Sequence, residues 1–208
     1  MLTRINFLTA GESHGRGLLG IVEGIPSGLE ISKEYIDVQL KRRQMGHGRG
    51  GRMKIENDAV EIWSGVRDGK TIASPIGLIV RNKDWENWKN KMSVEKMKKT
   101  PRKVTLPRPG HADLAGVEKY GFDDIRNVLE RSSARETTMR VALASVCRKL
   151  LGDIGIHVAS RVVQIHDIVD SSSIPSNLKI QKLNQLADKS PLRCLNGNIE
   201  KEMIQVID

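Results

Sequence analysis

The sequence predicts one domain that contains both strands and helices, a pattern that suits the α+β class. Segments with the pattern of strands and segments with the pattern of helices both occur along the 208 residues. Apolar residues make up 38% of the chain, which is enough for a core of modest size. Aromatic residues make up only 3%, so aliphatic side chains must fill that core.

The strand pattern, short apolar or alternating runs bounded by turn residues, occurs five times. The predicted strands are residues 4–9, 17–24, 59–65, 71–80 and 156–165. Pro75 interrupts the fourth of them, because proline cannot donate to a ladder of backbone hydrogen bonds.

Helices are predicted where a start signal precedes apolar residues at helical spacing. Ser32 is the expected N-cap of a helix over 33–44, and "RPGHADLAGVEKYG" reads as a turn leading into a short helix. Ser133 and Glu136 fit a capping box for a helix that runs to about Leu151. Because "VALASVC" in this helix is apolar on nearly every face, we expect it to be buried on most sides.

After Asp170 the sequence predicts a loop, "DSSSIPSN", and then a helix that ends at about residue 188. A second helix is predicted over 198–208. The final pattern, "NIEKEMIQVID", has no stop signal, so we expect the polypeptide to be cut inside a helix. Residues 83–103 are polar and rich in lysine, and we expect an exposed, mobile excursion there.

The net charge of +9 belongs to the first three quarters of the chain, since residues 151–208 carry 6 Lys and Arg against 7 Asp and Glu. Such a field attracts nucleic acid, a membrane surface or small anionic metabolites. The two cysteines form no framework or metal spacing, which favours a reduced, cytoplasmic setting. We see no signal peptide, and no apolar run approaches the ~20 residues that span a bilayer.

The stretch "RSSARETTMR" places cations and hydroxyl groups at a predicted helix start. A helix N-terminus presents unpaired N–H groups and partial positive charge, so Arg131 and Arg135 would make an anion site there. The alternative is a capped helix with solvated arginines. The loop "GRGGR" places Arg49 and Arg52 among glycines, as in a second anion-binding loop, an RNA-binding segment or a structural turn.

Two of the five histidines are candidates for proton transfer, because each lies at a glycine-flanked turn beside a carboxylate. His14 is close in sequence to Glu12, and His111 to Asp113. Each could also be a structural residue. His157 and His166 fit packing residues better, and His47 is ambiguous. No spacing of His and Cys predicts a metal site.

The ordered motifs "GESHG", "RRQMGHGRGGRMKIE", "RPGHAD" and "RSSARETTMRVA" together closely resemble chorismate synthase, from about Phe7 to Ile168. The resemblance implies a carbon–oxygen lyase of aromatic amino acid biosynthesis that removes phosphate and a ring proton from 5-enolpyruvylshikimate 3-phosphate. It implies reduced FMN as cofactor, with NADPH used by some members of the family, and a homotetramer without nucleic acid or membrane partners. The implied fold is a sandwich, with a helical layer between two four-stranded antiparallel sheets.

The resemblance also implies roles for individual residues. His14 would be the acid near the departing phosphate, His111 would lie beside the pyrimidine edge of the flavin, and Ser13 would help to relay the proton. The residues implied to contact FMN are Arg131, Ser132 and Ser133. Those implied to bind substrate, or a nicotinamide nucleotide, are Arg43 and Arg49, with charge for the substrate added by Arg108 and Arg135.

Members of this family are longer than 208 residues, so the resemblance implies that the chain carries the front part of an active site. We expect a C-terminally truncated domain that binds flavin poorly on its own. Two other functions stay open at this point. One is a basic RNA-binding module that uses "GRGGR" and the lysine-rich excursion, and the other is a non-catalytic fragment that retains only assembly contacts.

Overall fold

The computed structural model describes residues 4–48, 57–97 and 100–208. Their contacts divide the chain into two compact units. The first unit contains residues 1–40 and 58–146, and the second contains residues 41–57 and 147–208. Two of the boundaries between the units, after Leu40 and after Val146, fall inside helices.

The first unit is built on a four-stranded antiparallel sheet in the order β1-β2-β6-β3. Its strands are β1 (Asn6–Gly11), β2 (Gly17–Glu23), β3 (Val60–Ile62) and β6 (Ile76–Arg81). A separate two-stranded pair consists of β4 (Val66–Arg67) and β5 (Lys70–Thr71). The single strand predicted over 71–80 is therefore two strands, β5 and β6, separated by the turn that contains Pro75.

One face of this sheet is buried under a long helix, α5 (Glu136–Asp153). Gly20 in the middle of β2 explains how closely the two elements approach. A Cβ atom at Gly20 would lie 2.5 Å from the sulfur of Met139 and 2.8 Å from Leu143 Cδ1, so a larger residue would push α5 away. Buried aliphatic side chains fill the rest of this core, as the composition predicted: Leu18, Val22, Ile36, Leu40, Val60, Ile76, Leu78, Val80 and Val146.

The helix α1 (Lys33–Gln44) has the predicted bounds. The hydroxyl of Ser32 accepts a hydrogen bond from the backbone N–H of Tyr35, 3.2 Å away, which confirms Ser32 as the N-cap. Within the first unit, Asp37 of α1 accepts a hydrogen bond from the backbone N–H of Val60 at 2.8 Å, which ties α1 to the start of β3.

Three shorter helices belong to the first unit: α2 (Trp85–Met92), α3 (Asp113–Tyr120) and α4 (Arg126–Leu129). The helix α3 follows the turn predicted in "RPGHAD", and it ends at Gly121, whose φ of 66° suits a residue without Cβ. The helix α2 lies inside the lysine-rich segment 83–103. That segment is largely exposed, but eight of its residues are helical, which the sequence analysis did not predict.

The helix α5 is buried at Met139, Ala142, Leu143, Ser145 and Val146, which confirms the prediction for most of the apolar run. Ala144 is exposed, however, so the described residues leave part of the helix surface uncovered. The capping-box prediction was also wrong. The Glu136 carboxylate accepts hydrogen bonds from Thr9 Oγ1 at 2.8 Å and from Arg140 Nε, one turn along the same helix, at 2.6 Å, and these two contacts replace the bond to Ser133.

The second unit contains the hairpin β7 (Gln164–Ile165) and β8 (Ile168–Val169) and the helices α6 (Ile180–Ala187) and α7 (Gly197–Ile207). Its core is formed by Leu192, Cys194 and Met203, with Ile165 and Ile168 packed against them. Of the strand predicted over 156–165, only the last two residues are a strand. The prediction that His157 and His166 are packing residues was wrong too, since both side chains are exposed.

The observed class is α+β with antiparallel sheets, as predicted. Within the described residues there is one four-stranded sheet, and the other two sheets have two strands each. The face of the four-stranded sheet that is not covered by α5 carries exposed apolar side chains, among them Leu8, Leu19 and Ile21, and Leu8 is 74% exposed. No helix in the described part of the chain is both long and apolar enough to cross a membrane.

Candidate active site

The motif "GESHG" forms the turn between β1 and β2, and this turn is attached to the end of α4. The backbone N–H of Ser13 donates to the carbonyl oxygen of Glu130 at 3.0 Å. The backbone N–H of His14 donates to the carboxylate of the same residue, with 2.9 Å to Oε2. The position of His14 is therefore set by a residue 116 positions later in the chain.

The imidazole of His14 contacts Glu130 as well. Its Nδ1 lies 2.7 Å from Oε2 and 2.9 Å from Oε1 of this carboxylate. The side chain of Glu130 is only 1% exposed, so the pair is held away from bulk water. The sequence analysis named Glu12 as the neighbouring carboxylate, and the structure corrects this to Glu130.

Trp88 of α2 covers one face of the His14 ring. The two ring centroids are 3.7 Å apart and the planes are inclined by 29°, which is a stacked arrangement. The indole N–H of Trp88 donates to Asp84 at 2.9 Å, which fixes the orientation of the indole. The guanidinium of Arg126 lies 5.9 Å from the centre of the Trp88 ring and 3.9 Å from Glu130 Oε1.

His111 lies in a second cluster at the start of α3. Its Nδ1 is 2.6 Å from Asp113 Oδ1, which confirms the carboxylate predicted from the sequence. Arg108 donates to the same carboxylate through its backbone N–H at 3.0 Å, through Nε at 2.9 Å and through Nη2 at 3.1 Å. These hydrogen bonds, first of all those from the Arg108 side chain, hold the pKa of the buried Asp113 well below its usual range.

The two clusters are within electrostatic range of each other. Hydrogen bonds to Asp113 are the main cause of the raised pKa of Arg108, and the charge of Glu130 raises it further. The carboxylate that holds His14 therefore also acts on the guanidinium beside His111.

The stretch "RSSARETTMR" borders a depression of about 470 Å³ on the protein surface. It is lined by Arg131, Ser132, Ser133, Ala134, Glu136, Thr137 and Arg140. The guanidinium of Arg131 is anchored at one end, because Nη2 donates to the backbone oxygen of Thr9 at 3.0 Å and to its hydroxyl at 2.8 Å. Burial alone would raise the pKa of Glu136, but hydrogen bonds from Arg140 and Thr9 outweigh it and lower that pKa. One carboxylate thus partly offsets the two arginines.

Arg135 points into the protein instead of toward this depression. It is 5% exposed, and it donates to the backbone oxygens of Ser13 at 2.9 Å and Arg81 at 3.1 Å. Its Nη2 also lies 3.4 Å from the buried carboxylate of Asp58. The sequence analysis gave Arg135 to the substrate, whereas this geometry favours a structural role for it.

A hydrogen bond between Ser13 and Ser133 connects the turn that carries His14 with the stretch that lines the depression. The hydroxyl of Ser133 donates to that of Ser13 at 3.1 Å, and Ser13 is buried beside His14. Of the other predicted residues, Arg43 lies half-buried in the last turn of α1, which belongs to the second unit. Arg49 and Arg52 lie outside the described residues.

Glu130 and Trp88 are the two residues of the site that the sequence analysis missed. Glu130 directly precedes the "RSS" motif, and this position was the available signal. Trp88 lay in a segment read as an exposed excursion, where nothing in the pattern indicated a contact with His14. Within the described ranges, no group of three or more His, Cys, Asp or Glu residues could hold a metal ion.

Comparisons with known proteins agree with the motifs. A family model described as "Chorismate synthase" matches residues 5–208. The chorismate synthase of Enterococcus faecalis is 53% identical over 207 residues, covering 98% of this chain and 53% of that protein. That of Chlorobium phaeovibrioides is 51% identical over 210 residues, with the same coverage.

A solved structure described as "Crystal Structure of Chorismate Synthase" matches with a TM-score of 0.74 and 39% identity. The match covers 99% of this chain and 53% of the solved one. The chain thus spans about half the length of the relatives it matches. Because the family model covers nearly all of it and the site motifs occur in order, the chain belongs to the chorismate synthase family.

Proposed function

We propose that the protein containing this chain catalyses the chorismate synthase reaction. In this reaction, 5-enolpyruvylshikimate 3-phosphate loses its phosphate and a ring proton to give chorismate. The observation that carries the proposal is the pair of imidazole–carboxylate contacts, His14 with Glu130 and His111 with Asp113, within electrostatic range of each other. A 1,4-elimination of phosphate needs one group that donates a proton to the leaving phosphate and a second group that governs the removal of the ring proton.

The depression at residues 131–140 suits the phosphate end of FMN. Two guanidinium groups and the hydroxyls of Ser132, Ser133 and Thr137 line it, against the single carboxylate of Glu136. Arginine and hydroxyl donors are the groups that proteins use for phosphate. We therefore assign Arg131, Ser132 and Ser133 to this cofactor. Reduced FMN, when bound, supplies electron density for phosphate departure and takes up the ring proton.

His14 would donate a proton to the departing phosphate. Its Nδ1 is engaged with Glu130, so the ring acts on a ligand through Nε2. Ser13 is buried next to His14 and accepts a hydrogen bond from the Ser133 hydroxyl, and it would serve as a relay in the proton path.

His111 would lie beside the flavin, where it would orient the cofactor and control its protonation state. Asp113 holds its Nδ1, and Arg108 lies against the same ring. Arg108 also adds positive charge for a substrate that carries two carboxylates and a phosphate. We assign Arg43 and Arg49 to the substrate or to a nicotinamide nucleotide, on the strength of the family motif that contains them.

We further propose the family's sandwich architecture and a homotetramer for the complete protein. The exposed apolar face of the four-stranded sheet, with Leu8, Leu19 and Ile21, supports an assembly, because contiguous apolar surface of this kind is usually covered. The cytoplasmic location stays a prediction from the cysteine pattern.

The test is an anaerobic assay of the full-length protein with reduced FMN and 5-enolpyruvylshikimate 3-phosphate. We expect stoichiometric release of inorganic phosphate and chorismate, with no net oxidation of the flavin. Phosphate release without chorismate, or no reaction with a correctly folded, flavin-loaded protein, would refute the proposal. Strong binding of RNA with a steep salt dependence would favour the RNA-binding function instead.

A further inference from the structure

We propose that Glu130 is the positioning residue of His14, and that it fixes the imidazole as the Nδ1–H tautomer. The role in turnover rests on the proposed function, whereas the tautomer does not. One buried residue, Glu130, holds the turn that carries His14 at several points.

Glu130 contacts the turn at three points. Its carbonyl oxygen accepts from Ser13 N–H at 3.0 Å, and its Oε2 accepts from the backbone N–H of His14 at 2.9 Å. The same Oε2 lies 2.7 Å from Nδ1 of the His14 ring. The carboxylate thus holds the main chain and the side chain of His14 together, so that the ring cannot turn without losing a hydrogen bond.

The surroundings of Glu130 hold its carboxylate in place. A carboxylate that is 1% exposed needs donors or cations around it, since burying an unpaired charge is very costly. Arg126, with Nη1 at 3.9 Å, and His14 face this carboxylate. Both carboxylate oxygens lie within 2.9 Å of Nδ1, and Oε2 also accepts from the backbone N–H of His14, so the arrangement is that of a ring N–H donating to acceptor oxygens.

The tautomer follows from this contact. A neutral imidazole with an acceptor at Nδ1 must carry its proton there, and Nε2 then has a lone pair that takes up a proton from outside. Free neutral histidine prefers the proton on Nε2, so the site reverses the ordinary preference. Trp88, stacked at a centroid distance of 3.7 Å, covers one face of the same ring.

The tautomer can be measured directly. The full-length, flavin-free protein is labelled with ¹⁵N in its histidine rings, and the His14 signals are identified by their loss in His14→Asn. At a pH where the ring is neutral, we expect the ¹⁵N shifts of the wild type to show the proton on Nδ1. In Glu130→Met, which keeps the volume but removes the acceptor, we expect the proton to return to Nε2.

Glu118→Met is the matched control, because Glu118 is exposed on α3 and the same exchange there should leave the His14 shifts unchanged. A wild-type ring with its proton on Nε2 overturns the inference even if Glu130→Met does not fold. An unchanged Nδ1–H ring in folded Glu130→Met overturns it as well.

Turnover separates this inference from the proposed function. If the wild type makes chorismate, Glu130→Met should lower kcat about 10- to 100-fold, the range for loss of a partner that orients a functional histidine. The KM for the substrate should change less than about twofold, because Glu130 would not touch the substrate. A loss confined to KM would contradict the positioning role. If the wild type shows the Nδ1–H ring but makes no chorismate, the proposed function fails and the positioning of His14 stands.

Discussion

The guanidinium of Arg108 lies over the face of the His111 ring. Its Nη2 is 3.0 Å from Nδ1 and 3.1 Å from Nε2 of His111. A nitrogen equally close to both ring nitrogens cannot lie in the ring plane, where it would collide with Cε1. Nη2 therefore lies over the face of the ring, and the Asp113 carboxylate contacts both Arg108 and the edge of the His111 ring.

Asp113 should accordingly be important for the stability of this turn. We expect Asp113→Asn to lower the free energy of unfolding by about 1.5–3 kcal/mol, the range for hydrogen bonds to charged groups. Urea unfolding at pH 7 would measure it. Asp123→Asn is the control, because Asp123 pairs with Lys103 at the surface and its loss should leave unfolding unchanged. Equal effects of the two changes would contradict the importance of the Asp113 cluster.

Ala142 and Ala144 lie two residues apart on α5 and differ in burial. Ala142 is 0% exposed, so Ala142→Leu should overpack the core and cost about 1–3 kcal/mol. Ala144 is exposed, and Ala144→Leu should leave the stability of the chain nearly unchanged. Thermal unfolding of both variants would compare them, and a greater loss in Ala144→Leu would show that the observed face of α5 is wrong.

Asp170 gives the second unit a dependence on pH. Hydrogen bonds from Ser172, with further ones from Cys194 and the backbone of Leu195, lower the pKa of Asp170 from 3.8 to about 2. A carboxyl whose pKa is lower in the folded state stabilises the fold above its unfolded pKa and loses this effect as the pH falls. Stability should therefore decline from about pH 4 toward pH 2.

The variant Asp170→Asn should show a smaller decline over this range. Urea unfolding followed from pH 5 to pH 2 would give both slopes. Asp153→Asn, an exposed carboxylate at the end of α5, is the matched control and should keep the wild-type slope. Identical slopes for wild type and Asp170→Asn would rule out this contribution.

His14 and His111 should both matter for turnover but in different ways. In the full-length protein, His14→Ala and His111→Ala should each lose about 10²–10⁴-fold in turnover, the usual worth of general acid–base catalysis. Substrate and FMN should still bind, because the arginines and backbone amides remain. Near-normal turnover in either variant would remove that histidine from the mechanism.

The two histidine variants should differ in the spectrum of the reduced flavin. With substrate bound, we expect a changed protonation equilibrium of the flavin in His111→Ala and much less change in His14→Ala. Stopped-flow mixing without oxygen would record it. The same spectrum in both variants would show that the two residues do not divide the work as proposed.

The sequence by itself determined the features that depend on neighbouring residues. The helix α1 begins after Ser32 as predicted, because an N-cap bond reaches only a few residues along the chain. The pair His111 and Asp113 was predictable for the same reason, since two positions separate them in a tight turn. Motifs in a fixed order were enough to identify the family.

Only the tertiary structure decided the contacts between distant segments. Glu130 meets His14 across 116 positions, and no local pattern in the sequence links the two. Residues 156–163 alternate as a strand would, yet no strand forms there among the described residues, because a strand requires a neighbour to satisfy its backbone groups. The exposure of Ala144 and the burial of Arg135 have the same origin. A side chain's burial depends on what packs over it, and that is fixed by the approach of segments far apart in the chain.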